Sequence, residues 1–190
     1  MSYFPLALAG TLKHEGGYAN DPHDRGGETY RGISRKYHPS WPGWKRIDEL
    51  DNTSRRRVED DPVLQLQVEM LYRAEFWEPC GGDALEDLAL ARAVFDCAVN
   101  LGVEKAVWYL QRALNMLSKN GALSGYLAPD RVWGPATARA LKAQLAAKGS
   151  AALVKAIEGQ RVVHYLNLIE HDPTQGRFAH GWLARVGRGI

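Results

Sequence analysis

Apolar residues recur at helical spacing along most of this chain, and stretches rich in glycine, proline and polar residues separate the runs. In the first run Ser2 stands as a cap, Pro5 falls in the first turn, and Leu8, Leu12 and Glu15 share one face at i, i+4 and i+7. Gly16 and Gly17 end that helix. Residues 18–32 hold too many glycine, aspartate and asparagine residues for a helix and predict a turn-rich hairpin or loop. The stretch "HPSWPGW" predicts a second loop, carrying Trp41 and Trp44.

Asp61-Pro62 opens a helix that runs to Trp77, with Leu64, Val68, Leu71 and Glu75 in register. "EDLALARAVFDCAVN" predicts another, ending near Gly102, and "VEKAVWYLQRALNML" follows with Val107, Leu110, Leu114 and Leu117 on one stripe. A turn at "PDRVWGPAT" leads into a helix whose first position is Pro135. "AALVKAIEGQRVVHYLNLIEH" is a long amphipathic helix and "RFAHGWLARV" a short final one. With no repeat, low-complexity tract or linker, the pattern predicts a mainly α single domain over residues 1–190 with a small β-hairpin. The best internal boundary is at Gly81-Gly82-Asp83.

Composition narrows the class without naming a function. Hydrophobic residues make up 45% and charged residues 24% of the chain, which is the balance of a globular protein rather than a disordered one. A net charge of +2 is too small to imply nucleic acid, though mild basicity would suit an anionic polymer or cell envelope. No segment reaches the length of a membrane span, and the N-terminal apolar stretch lacks the basic flank of a signal peptide. The expectation is a protein made and kept in the cytoplasm until it is released. Cys80 and Cys97 are expected as reduced core residues rather than a disulfide.

The chemistry gathers in "KHEGGYANDPHDRGGETYRG". His14-Glu15 begins like a zinc-protease motif, but Tyr18 occupies the second ligand position, and Gly16 and Gly17 would break the helix that motif needs. A calcium loop starting at Asn20 fails at its third position, where Pro22 has no side-chain oxygen. No metal or cofactor is implied. Glu15 itself sits at a helix C-terminus, where the macrodipole disfavours its charged form, and the Leu8 and Leu12 stripe would desolvate it with the same sign. Both effects hold a proton on the carboxyl nearer neutral pH, as a general acid requires. The alternative is an exposed glutamate at a frayed helix end.

Nine residues on is Asp24, then a Gly26-Gly27 turn, Thr29 and Tyr30. A hairpin folding back over the helix end would set a second carboxylate and a hydroxyl opposite Glu15. Glycoside hydrolysis uses that layout: one carboxylic acid protonates the leaving oxygen, and a carboxylate on the other face activates water or attacks carbon.

The stretch "EGGYANDPHDRGGETYRGIS" resembles the signature of the glycoside hydrolase family 108 muramidases, phage endolysins and bacterial peptidoglycan hydrolases of which some assist protein secretion. The resemblance continues through "FDCAVNLGVEKAVWYLQRAL", "PDRVWGPATARAL" and "RFAHGWLARV", and so covers nearly the whole chain. It implies a lysozyme-like helical domain with a small β-hairpin next to the active site. Residues 1–92 would form the catalytic segment and residues 93–190 a helical segment like a peptidoglycan-binding domain.

Glu15 takes the acid role in this resemblance, Asp24 orients or activates water, and Thr29 positions it. In phage-type lysozymes, which share the Glu-x8-Asp spacing, the threonine comes one residue later than Thr29. Tyr18 and Tyr30 would stack on sugar rings or pack the hairpin. Asp96 and Asn100, i and i+4 on one helix, would line the sugar cleft or make core hydrogen bonds.

The implied activity is hydrolysis of the β-1,4 bond between N-acetylmuramic acid and N-acetylglucosamine. A lytic transglycosylase and a non-catalytic peptidoglycan-binding secretion adaptor are the alternatives. The implied partners are peptidoglycan glycan strands, with no nucleic acid and no stable membrane insertion. The protein would act as a monomer in the periplasm or cell wall, once a holin or secretion system releases it.

Overall fold

The computed structural model describes residues 2–20, 27–51 and 58–187. For Glu15, as for His14 and Asp51, the description ends at the backbone. The described chain is mostly helical, with one three-stranded antiparallel sheet in the order β1-β2-β3. It divides into two compact units, one formed by residues 8–74 and the other by residues 1–7 and 75–190. The first helix, α1, is Phe4–Glu15, as its capping residues predict. The Ser2 hydroxyl accepts from the backbone N–H of Phe4 at 3.3 Å.

In the unit of residues 8–74, the sheet is built from β1 (Tyr18–Ala19), β2 (Thr29–Tyr30) and β3 (Ile33–Ser34). Tyr18 pairs with Tyr30 and Ala19 with Thr29 across the first ladder; Thr29 pairs with Ser34 and Tyr30 with Ile33 across the second. The predicted hairpin therefore gains a third strand. Its cause is local: Arg31 at φ 45° and Gly32 at φ 81° make a two-residue turn with both central residues left-handed, whose twist matches that of antiparallel strands.

Tyr30 and Ile33 face inward, and Tyr30 stacks on Trp41 with ring centroids 6.2 Å apart. Trp41 in turn meets the ring of Trp44 edge-on at 5.2 Å. The expected loop at residues 38–44 is shorter than its composition implied, because α2 (Gly43–Asp51) already contains Trp44. Trp44 and Ile47, three residues apart and both buried, give this segment the inward face that organises a helix.

Helix α3 (Pro62–Tyr72) begins where predicted: the Asp61 carboxylate accepts from the N–H groups of Val63 and Leu64, each at 3.0 Å, and Pro62 occupies the first turn. Its inward face is Leu64, Val68 and Tyr72 rather than the predicted Leu64, Val68, Leu71 and Glu75. The Tyr72 hydroxyl donates to the carbonyl of Arg31 at 2.8 Å, which holds that face against the sheet turn. The predicted helix does not continue regularly to Trp77, since residues Arg73–Trp77 form a wider π-helical turn.

In the other unit the core lies among α4 (Leu88–Leu101), α5 (Val103–Leu117) and α7 (Ala151–His171). Asp87 caps α4 by accepting from the N–H of Leu90 at 2.9 Å, and Gly102 at φ 90° breaks the chain between α4 and α5. Val107, Leu110 and Leu114 are buried as their spacing predicts. Helix α6 (Pro135–Lys148) starts at its proline, and α7 spans the predicted segment.

The final predicted helix is split. Asp172 accepts from the N–H of Thr174 and Pro173 opens a 3-10 turn through Phe178, so that α8 (Ala179–Arg185) starts only after it. Phe4, Trp77 and Phe95 pack as tilted and edge-on rings. Cys80 and Cys97 are free and buried, as expected of core thiols.

Candidate active site

Glu15 is the last residue of α1, and Gly16 turns the chain at φ 71°, a conformation open to glycine at little cost. The chain then enters β1. Gly17 is needed for a different reason: a Cβ there would run into the carboxylate of Glu59. That carboxylate accepts from the backbone N–H of Tyr18 at 2.8 Å. The glycine pair after Glu15 thus serves both a turn and a close approach. Asp24 lies outside the described residues.

Thr29 opens β2, and its hydroxyl donates to the carbonyl of Gly27 at 3.0 Å. Its oxygen keeps acceptor capacity. The two tyrosines differ in setting. Tyr30 is fully buried, at 0% exposure, and its hydroxyl donates to the carbonyl of Val58 at 3.1 Å. Burial raises its pKa above the ordinary phenol value. Tyr18 is half-buried and donates from its hydroxyl to the Glu28 carboxylate at 3.1 Å.

Glu28 belongs to a network that the motif reading passed over. Arg35 donates to Glu28 at 2.8 Å and grips Asp48 through two nitrogens at 2.8 and 2.6 Å. Its hydrogen bonds to Asp48 and Glu28 raise the Arg35 pKa further, and the Arg35 bond holds the Asp48 carboxyl below its usual value. The signal for the Glu28–Arg35 pair is the two-residue turn: once Arg31 and Gly32 are its centre, Glu28 and Arg35 face each other across β2 and β3. The backbone bond from Arg35 N–H to Glu28 C=O, 2.8 Å, continues that register.

Asp96 and Asn100 lie on α4, in the unit of residues 75–190. The Asp96 carboxylate accepts from Arg161 at 2.6 Å and stands 3.6 Å from Arg185. Asn100 accepts from the Tyr165 hydroxyl at 2.7 Å, and Tyr165 stacks on Trp182 with centroids 5.0 Å apart. Both candidates are thus engaged by α7. Among the described residues, no group of three or more His, Cys, Asp or Glu side chains is placed to hold a metal ion. No helix among them is long and apolar enough to cross a membrane.

A mainly helical chain with a short antiparallel sheet following a helix that ends in glutamate is a lysozyme-like fold. The solved structure of Brucella abortus SagA has a similar fold, with a TM-score of 0.65 at 24% identity over 98% of this chain and 90% of that one. Comparison with curated proteins gives no match. Residues 8–102 match the model of glycosyl hydrolase 108, and residues 105–187 match that of a predicted peptidoglycan domain. The chain belongs to the glycosyl hydrolase 108 family. It is a glycoside hydrolase of the peptidoglycan-degrading kind, and its action is on the cell wall.

Proposed function

We propose that this protein is an N-acetylmuramidase that hydrolyses the β-1,4 bond between N-acetylmuramic acid and N-acetylglucosamine. One observation carries the reading: the glycosyl hydrolase match takes in both Glu15 and Asp24, and a peptidoglycan domain follows it within three residues of sequence. Glu15, at the carbonyl end of α1, is the general acid that protonates the leaving oxygen. Asp24 orients or activates the attacking water on the opposite face of the sugar. The Thr29 hydroxyl, whose hydrogen is directed at Gly27, accepts a hydrogen bond from that water. Tyr18 offers a half-buried ring to a sugar, and the Glu28–Arg35–Asp48 network holds its hydroxyl in place.

The experiment is digestion of purified peptidoglycan with mass analysis of the released muropeptides. Muramic acid ends of reducing mass are expected, since water is the acceptor. Dominant anhydro ends would make the protein a transglycosylase, and retention on the wall without release would make it a binding adaptor.

A further inference from the structure

We propose that the arginine pair Arg112 and Arg131, held on the indole of Trp108, is a binding site for carboxylate groups of the peptidoglycan stem peptides. All three residues lie in the unit of residues 75–190, and the proposal rests on the reading of peptidoglycan as substrate.

Arg112 follows Trp108 by one helical turn of α5, and its guanidinium lies 4.5 Å from the indole centroid. Arg131 reaches the same ring from the loop before α6, at 5.4 Å. Both arginines are exposed and Trp108 is half-buried. Neither guanidinium meets a carboxylate among the described residues, in contrast to Arg35, Arg46 and Arg161. Both cations lie within 5.4 Å of one ring centroid, so the Trp108 side chain carries two positive charges that an anion would meet together. Stacking on an indole leaves the edge of a guanidinium, with its N–H donors, free for a planar carboxylate.

The backbone carries an independent sign. Arg131 sits at φ 69°, a left-handed conformation uncommon outside glycine, asparagine and aspartate. Gln111, only 1% exposed, holds it there. The Gln111 carbonyl oxygen accepts from the N–H of Arg131 at 3.0 Å. Its amide nitrogen lies 2.8 Å from Asp130, 3.1 Å from the Val132 carbonyl and 3.1 Å from the Thr137 hydroxyl. Asp130 is turned into this clamp, where its carboxylate also accepts from the N–H of Val132 at 2.9 Å. A buried amide therefore fixes an arginine in a backbone conformation that glycine would adopt more cheaply. Such strain persists where the side chain is wanted in that place. Among the ligands a peptidoglycan surface offers, free carboxylates on the stem peptides match this site in charge and in planar geometry.

The test is co-sedimentation of the full chain with purified sacculi, briefly and in the cold, after acid treatment has removed wall teichoic phosphates. Half of the sacculi have their carboxyls capped as neutral amides. Wild type, R112Q, R131G and the double variant are compared, with melting temperature measured alongside. Binding of the wild type is expected to fall about tenfold on capping, and each variant to bind uncapped sacculi about tenfold more weakly. R131G should melt no lower than wild type, because glycine accepts the backbone conformation. Equal binding by the double variant and the wild type overturns the proposal. So does wild-type binding to these phosphate-free sacculi that is absent from the start or survives capping. Release of reducing ends by a wild type indifferent to capping sinks this proposal alone. A wild type that neither binds sacculi nor releases reducing ends sinks the peptidoglycan reading with it.

Discussion

Arg161, with none of its surface exposed, donates to the carboxylate of Asp96 across 2.6 Å and so ties α7 to α4. The same guanidinium lies 3.2 Å from Glu158, whose pKa is raised by burial against the opposing effect of the arginine. Replacing Arg161 by Met leaves the buried Glu158 without its cation and Asp96 with only the longer contact to Arg185, a loss of about 3–5 kcal/mol. The deficit relative to wild type should shrink as pH is lowered from 7 towards 4. Protonation of Glu158, whose pKa is already raised, relieves the unpaired carboxylate in the variant and weakens its ion pair in the wild type. Calorimetric melting of both proteins across that range checks it; a deficit that grows on acidification would contradict the assignment.

Asp61 separates a cap from an ion pair. Its Oδ1 caps α3 and its Oδ2 meets Arg46 at 2.7 Å, an interaction that holds the carboxyl below its usual pKa, with the N–H groups of Leu64 and Val63 adding to the effect. A carboxyl depressed in the folded state stabilises above its unfolded pKa of about 3.9, and that contribution is lost as pH falls through the folded value. D61A should therefore cost about 0.5–2 kcal/mol in urea unfolding at neutral pH. D61N, which still caps, should cost less. Both deficits should narrow only below the ordinary carboxylate range.

Gly17 and Glu59 should behave as one unit. A Cβ at position 17 displaces the Glu59 carboxylate and with it the bond to Tyr18 N–H. G17A and E59A are each expected to lose about 0.5–1.5 kcal/mol, and the double variant no more than the worse single one. Additive losses in a double-mutant cycle would show that the two do not share this contact.

Cys80 and Cys97 are pushed up to about 12 by burial. At pH 8 neither should react with a thiol reagent in the folded protein, and both should react once it is unfolded in denaturant. Rapid labelling of either under native conditions would mean that the core opens around it.

For the proposed chemistry, E15Q should lower muropeptide release by about 10²–10⁴ with melting unchanged, since glutamine keeps the shape but delivers no proton. D24N should lose most of the activity and T29A less. We propose single displacement with Asp24 activating the water, the mode in which the two carboxyls stand about 6.5–9.5 Å apart, so the first-formed reducing end should be the α anomer by NMR. A β anomer, or a glycosyl adduct on Asp24, would make Asp24 the nucleophile.

Short-range chemistry made much of this protein legible in sequence. Asp61, Gly102 and Pro135 set helix boundaries through bonds and dihedral limits that act within a few residues, so those boundaries fall where the pattern predicts. The place of Glu15 at a helix end is equally local. Other features depend on partners distant along the chain. The inward face of α3 follows Tyr72 because its hydroxyl finds Arg31, and residues 43–51 become helical around a buried Trp44 packed on Trp41. The i, i+4 pair Asp96 and Asn100 could be read from α4, but their partners Arg161 and Tyr165 stand 65 positions further on. Gln111 reads as one more polar residue in an amphipathic helix until the loop of Arg131 closes over it. A hydrogen bond satisfied within a turn is specified by its neighbours. One between separate elements exists only after packing has excluded water and brought donor to acceptor, and only the tertiary structure decides which donor that is.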